Sequence, residues 1–190
     1  LQECIETTRS KGHFIEVVNF NVEGRQYVLA GTLDGLLHAI SNFEGRLIQR
    51  LGRTRSSIML RGITVPFHSS KLKPSAQLFR KNIEQTLKSD YNYDKLDNKY
   101  IPNLTGTLFR ITHQYLDEME HHCSHEFIRT MRQSWTTMTP NERARKMFIE
   151  LLSLQFCSSV QWIDTTKCLA KTVDCIIEVS PKPILTRMML

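Results

Sequence analysis

His68 is the residue whose type and setting most suggest chemistry. It stands between an aromatic, Phe67, and two hydroxyls, Ser69 and Ser70, just after Pro66 closes the apolar run Ile63-Thr64-Val65. Imidazole ordinarily titrates close to neutral pH, so it can take a proton and return it. In an α/β protein with one sheet, chemistry sits on loops leaving the carboxyl ends of strands, and this loop fits that place. Pro66 fixes its own φ and biases Val65 toward extended geometry, which makes Val65 the last residue of a strand. Ser69 or Ser70 can cap a helix that opens near Leu72. A histidine that only hydrogen-bonds across a turn fits the same pattern.

A histidine base needs a nucleophile within reach, and no Gly-x-Ser-x-Gly elbow occurs in the chain. Ser69 and Ser70 adjoin the ring without elbow geometry. Five cysteines (Cys4, Cys123, Cys157, Cys168, Cys175) have no paired short spacing. They read as core thiols of a reducing compartment, not as a disulfide framework or a zinc site. His121 and His125 are spaced to share one helix face, with Glu118, Glu120 and Glu126 nearby. The metalloprotease pattern needs glutamate where His122 stands, so a solvated polar face is the simpler reading and no metal is expected.

Arg46, Arg50, Arg53, Arg55 and Arg61 follow one another with no acid between them. They make either a solvated helix end or an anion-docking surface for a cofactor's phosphates or an acidic carrier domain. No aromatic interleaves them, which argues against single-stranded nucleic acid. No phosphate-cradling glycine loop is present. Asn19 and Asn21 end a strand beside a turn. They serve that turn, or they face one crevice together, since strand side chains repeat every two residues.

The elements that must position these residues follow from the patterning. A short helix over residues 1–9 ends at Gly12. Strands at Phe14–Phe20 and Tyr27–Ala30 form a hairpin. A helix starting at Thr32 or Asp34 carries Leu36, Leu37, Ile40 and Phe43 at helical spacing. Ile58–Val65 makes a third strand, which gives a ferredoxin-like unit lacking its first strand. Next come a helix over Leu72–Leu87 and a short strand at Tyr100–Leu104. Helices capped by Thr112, Ser124 and Thr139 follow, the last with Pro140 and Glu142 in place for a capping box. A helical stretch over Val160–Leu169, a buried-type strand over Asp174–Val179 and a resumed helix at Leu185 complete the series. Helices between strands predict a mostly parallel sheet with covered faces.

With 190 residues, 22.1 kDa and a formal charge of +6, the chain holds a core for one domain or somewhat more and favours an anionic partner. No apolar run is long enough for a membrane span, and nothing resembles a signal peptide, although the chain opens on Leu1.

Several segments taken in order resemble the malonyl-CoA:acyl-carrier-protein transacylase family. They are Phe14–Asn21 with Tyr27–Gly31, Val65–Ser69, Val160–Trp162, and Ile177–Pro181 with Leu185. Tyr100–Gly106 and the helices to about residue 147 are similar to the fungal branch. That branch includes the malonyl/palmitoyl transferase domain of the fungal fatty acid synthase β chain and the mitochondrial enzyme. The resemblance implies an α/β fold: a ferredoxin-like small subdomain over 1–65, then the C-terminal part of an α/β-hydrolase-like large subdomain over 66–190. Residues 106–150 are a helical insert.

It implies ping-pong transfer of a malonyl group from coenzyme A to the phosphopantetheine thiol of acyl carrier protein through an acyl-serine. His68 carries over as general base, its ring held by a backbone carbonyl near Glu178 and Val179. Asn19 and Asn21 carry over as substrate-crevice residues, and the arginines from Arg46 to Arg61, read from their charge alone, would then be a carrier or coenzyme docking surface. No covalently bound cofactor and no nucleic acid is expected.

By the resemblance, the serine elbow and the carboxylate-binding arginine of the family would precede Leu1. The chain is therefore expected to be a C-terminal part that does not turn over alone and that partners the N-terminal part of the same enzyme. Ser180-Pro181 replaces the family's Gly-Pro. A catalytically degenerate member that scaffolds a synthase assembly is the alternative. The short connection between Gly31 and Pro66 favours the mitochondrial matrix over the cytoplasm of a type I synthase.

Overall fold

The computed structural model describes residues 1–52, 56–60 and 62–189, with the side chains of 50, 51 and 189 excepted. Helix α1 (Gln2–Ser10), strands β1 (Ile15–Val22) and β2 (Gln26–Gly31) and helix α2 (Leu33–Leu51) come first. The strands pair antiparallel with Ile15 opposite Gly31. Thr32 caps α2 by accepting from the Gly35 N–H, and Gly52 ends it in the left-handed region at φ 63°. Ile5, Ile15 and Ala39 form a small core between α1, the hairpin and α2, with Leu29 and Leu36 packed on it.

The second half is helical: α3 (Lys73–Thr86), α4 (His113–Glu120), α5 (His125–Ser134), α6 (Pro140–Gln155), α7 (Trp162–Thr172) and α8 (Thr186–Met189). Thr112 and Ser124 cap α4 and α5 through their hydroxyls. At α6 the capping box forms in both directions: Thr139 Oγ1 accepts from Glu142 N, and the Glu142 carboxylate accepts from Thr139 N. The main core lies here, built on Leu104, Phe109, Tyr115, Leu116, Met119, Ile128, Met131 and Met147. Each such side chain, fully buried, contributes about 1.5–3 kcal/mol. The chain is thus an α/β fold with a small sheet and several helices.

Three expected strands do not form among the described residues. Residues 58–60 and 62–65, Tyr100–Leu104 and Asp174–Val179 are all irregular, and the mostly parallel sheet is replaced by one antiparallel hairpin. A strand is stable only when its backbone is paired, and no third strand lies beside β1 and β2 to pair these runs. Ile58 is 80% exposed and Val179 97%, whereas Leu104 is buried in the main core although its backbone joins no strand. At Tyr100 the backbone closes locally instead, its carbonyl accepting from Phe109 N. Among the described residues, one parallel bridge joins Asn19 and Val160, in which Phe20 N donates to Val160 O at 3.0 Å and Val160 N to Val18 O at 2.9 Å.

Cys4, Cys123 and Cys157 are buried thiols, but Cys168 is half-buried and Cys175 exposed, because the segment holding Cys175 lacks the sheet that would cover it. Burial pushes the Cys123 thiol up to about 12, and that of Cys157 in the same direction.

Candidate active site

The site is built where the Pro66–Ser70 loop meets the end of α6. A helix leaves its last four carbonyls without intrahelical partners, and α6 ends at Gln155. His68 supplies two of the missing donors. Its backbone N–H donates to Phe156 O at 3.1 Å, and its ring Nδ1 lies 2.6 Å from Gln155 O. A carbonyl oxygen only accepts, so Nδ1 carries the hydrogen. In the neutral ring the lone pair is then on Nε2, the nitrogen that can take a proton. When Nε2 is protonated the Nδ1–H bond survives, so the ring keeps its orientation in both states.

Reaching this position places His68 at φ 62°, in the left-handed region that L residues seldom occupy. Such a conformation persists where the surroundings over-determine it. Pro66 begins a tight turn in which Phe67 N donates to Val65 O at 2.9 Å. Ser69 is fully buried and its hydroxyl donates back to Pro66 O at 2.7 Å. Ser70 is held from the other side by Glu16 of β1, whose carboxylate accepts from Ser70 N at 2.8 Å and from its hydroxyl. Neither serine caps the following helix. Ser69 precedes a 3-10 turn over Ser70–Leu72 without a side-chain capping bond, because both hydroxyls are committed elsewhere.

The carbonyl that orients His68 therefore belongs to Gln155, not to the Glu178–Val179 region. Glu178 is occupied elsewhere: its carboxylate accepts from the backbone N–H groups of Leu185, Thr186 and Ile184 and from the Thr186 hydroxyl. The N–H groups of Leu185 and Thr186 foremost hold that carboxyl down to about 2. Val179 stands in solvent. The sequence held a usable sign of the true partner, since a helix running to about Phe156 must find donors for its terminal carbonyls. It also held a sign of Glu16, a carboxylate inside the apolar strand Ile15–Val18.

Asn19 and Asn21 lie on β1, but two register irregularities, between Val17 and Asn19 and between Phe20 and Val22, break the alternation. Burial falls on Ile15, Val18 and Asn21, with Asn19 half-buried. Among the described residues no hydrogen bond joins either asparagine side chain to the His68 loop. The Asn19 backbone instead bridges Val160, which fixes the segment following Gln155 against β1.

Arg46 forms an ion pair with Glu3 across α1 and α2, and that contact holds its guanidinium above its usual value. Arg53, Arg55, Arg61 and the Arg50 side chain lie outside the described residues. His125 faces Glu120 at 3.4 Å on an exposed surface. Among the described residues no group of three or more His, Cys, Asp or Glu is placed to hold a metal, and no helix is long and apolar enough to cross a membrane.

No family model matches the chain. Among curated proteins it is similar to the fatty acid synthase subunit beta of Gibberella zeae, at 34% identity over 142 residues, covering 58% of this chain and 7% of that protein. It is also similar to the fatty acid synthase subunit beta of Saccharomyces cerevisiae, at 30% identity over 178 residues, covering 71% of this chain and 8% of that protein. The chain thus spans less than a tenth of these curated relatives' length. Among solved structures, FabD from Acinetobacter baumannii superposes with a TM-score of 0.63 at 19% identity, over 98% of this chain and 45% of that one. At that identity the likeness speaks for the fold. With the synthase β subunits on one side and FabD on the other, the chain resembles the malonyl-CoA:acyl-carrier-protein transacylase family.

Proposed function

We propose that this chain supplies the general base of an acyltransferase that moves a malonyl group from coenzyme A to the phosphopantetheine thiol of acyl carrier protein. The observation that carries the reading is the 2.6 Å contact between His68 Nδ1 and Gln155 O, which leaves Nε2 as the basic nitrogen. A backbone carbonyl here does what a carboxylate does in a Ser-His-Asp triad: it fixes the tautomer and the direction of the ring. The nucleophile is a serine hydroxyl from a segment outside these residues, since the sequence holds no serine elbow. His68 Nε2 takes the hydroxyl proton as Oγ attacks the thioester carbonyl. The C–S bond breaks, and the departing coenzyme A sulfur takes the proton from Nε2. In the second half the phosphopantetheine thiol gives its proton to Nε2, attacks the acyl-serine, and the serine oxygen recovers a proton from the ring.

Residues 1–65 serve in this reading as the small subdomain and 66–190 as the returning part of the large one. Asn19 and Asn21 face the substrate crevice, and the arginines from Arg46 to Arg61 form the docking side for carrier or coenzyme. The N-terminal part of the same enzyme is a required partner. The mitochondrial matrix is the proposed compartment, resting on the short Gly31–Pro66 connection, with the cytoplasm the place of a type I synthase.

The test is transfer of labelled malonyl from coenzyme A to carrier protein by the enzyme that includes the serine segment. His68→Ala lowers the rate roughly a hundredfold or more, the usual contribution of a positioned general base. Near-normal transfer in that variant refutes the assignment. Carrier binding without transfer by the unaltered enzyme selects the non-catalytic scaffold instead, a reading that the Ser180-Pro181 departure favours.

A further inference from the structure

Glu16 has no place in the chemistry above, yet it is the carboxylate in direct contact with the loop that carries His68. It projects from β1 beside Ile15, which is fully buried, and opposite Ala30 of β2, so its backbone is fixed on both sides. Its two oxygens take different donors of one residue: Oε2 accepts from Ser70 N at 2.8 Å and Oε1 from Ser70 Oγ. Such a two-point grip on a single residue fixes direction as well as distance, and hydrogen bonds to a charged acceptor are the stronger kind. A second contact runs parallel to it: Lys71 Nζ stands 4.8 Å from the centre of the Phe14 ring, at the entrance to β1.

Side-chain hydrogen bonds hold the loop at three residues, alongside the edge-on packing of the Phe67 ring on Phe156. The α6 terminus holds His68 itself, the Ser69 hydroxyl closes the turn on Pro66, and Glu16 holds Ser70. The left-handed φ of 62° at His68 needs the loop fixed on both sides of it. The Ser69 contact lies within the loop and moves with it, and the His68 contacts are what must be held. The chain after Ser70 leaves directly into a 3-10 turn and α3, so an unanchored Ser70 lets the loop relax toward the ordinary φ range. We infer that Glu16 is a positioning residue for His68: by gripping both donors of Ser70 it holds the loop in the left-handed turn that brings His68 Nδ1 onto Gln155 O.

This inference rests on the general-base reading only for its catalytic consequence; the geometric part stands apart from it, and the test separates the two. The chain is prepared with ¹³C,¹⁵N-labelled histidine, and the His68 ring resonances are assigned by their loss in His68→Ala. In the unaltered chain the ring shows the Nδ1–H tautomer with a hydrogen-bonded Nδ1 proton. Glu16→Ala abolishes that signature and speeds hydrogen exchange of the Ser70 amide at least tenfold. Glu16→Gln restores most of both, because its carbonyl accepts from Ser70 N and its amide donates to Ser70 Oγ. A general loss of packing would not be rescued in this way. In the transfer-competent enzyme Glu16→Ala lowers kcat about tenfold with KM for malonyl-CoA unchanged.

An unaltered Nδ1–H signal and unaltered Ser70 exchange in Glu16→Ala overturn the inference. If Glu16→Ala does not fold, Ser70→Ala replaces it, removing the hydroxyl donor alone, and an unaltered His68 ring signal there overturns the inference equally. A lost signature alongside transfer that is insensitive to His68→Ala supports the grip and overturns the acyl-transfer reading.

Discussion

Gly106 and Gly24 provide a matched pair that tests how α7 is seated, and with it the segment behind Gln155. Both residues adopt the left-handed region, at φ 67° and φ 68°. A side chain there costs about 1–2 kcal/mol for an L residue, offset by about 0.4–1 kcal/mol from the reduced freedom of the unfolded chain. Their surroundings differ. A Cβ on Gly24 meets nothing within 4 Å, whereas a Cβ on Gly106 lies 2.7 Å from Asp164 Cβ, 3.1 Å from Gln161 O and 3.1 Å from Thr165 N. Two of those three atoms are backbone at the start of α7 and cannot swing aside. Overpacking of that kind adds about 1–3 kcal/mol.

Gly24→Ala therefore costs about 0–1.6 kcal/mol, and Gly106→Ala about 1–3 kcal/mol more than that. At about 2–4 °C per kcal/mol for a chain of this size, the two variants differ in Tm by roughly 2–12 °C. Thermal and urea unfolding followed by circular dichroism gives the comparison. Equal losses in the two variants would show that the close approach of Gly106 to α7 is not present. A loss confined to Gly24→Ala would refute the packing argument altogether.

Two further outcomes follow from buried groups. Arg80 pairs with Glu150, whose side chain is 4% exposed against 34% for Arg80, and burial raises the Glu150 carboxyl even though Arg80 pulls it down. A carboxyl raised above its unfolded value makes folding less favourable as pH climbs above the ordinary carboxylate range. Removing Arg80 sends it further up and enlarges the penalty at neutral pH. Arg80→Ala is expected to cost about 2–3 kcal/mol at pH 7, below the full cost of breaking a buried pair because Arg80 is partly solvated, and clearly less at pH 5. Urea midpoints that shift equally at both pH values would count against this. Maleimide labelling of the folded chain at pH 8 is expected to modify the exposed Cys175 and spare Cys123, whose thiol is buried and pushed up to about 12. Peptide mass spectrometry showing both modified at equal rates would refute it.

The local signals in the sequence were sufficient for nearly every helix. Thr32, Thr112, Ser124 and Thr139 cap where their hydroxyls and the following apolar spacing require, because a capping bond spans only three residues. The hairpin was equally legible, since β1 and β2 pair across a turn of a few residues. Runs such as Ile58–Leu60 and Cys175–Val179 have strand composition yet form no strand. Composition states a preference, whereas a strand also needs a neighbour's N–H and C=O groups, which only the tertiary arrangement supplies. The candidate site divides along the same line. The sequence by itself marked His68, through Pro66 and the flanking hydroxyls. Only the fold decided what holds it, because Gln155 O is separated from that loop by helices α3 to α6 and the Glu16 carboxylate by β2 and α2. The sequence showed a helix end in want of donors and a carboxylate in an apolar strand, but which loop they hold is decided only once the helix end and the strand have been brought to the same turn.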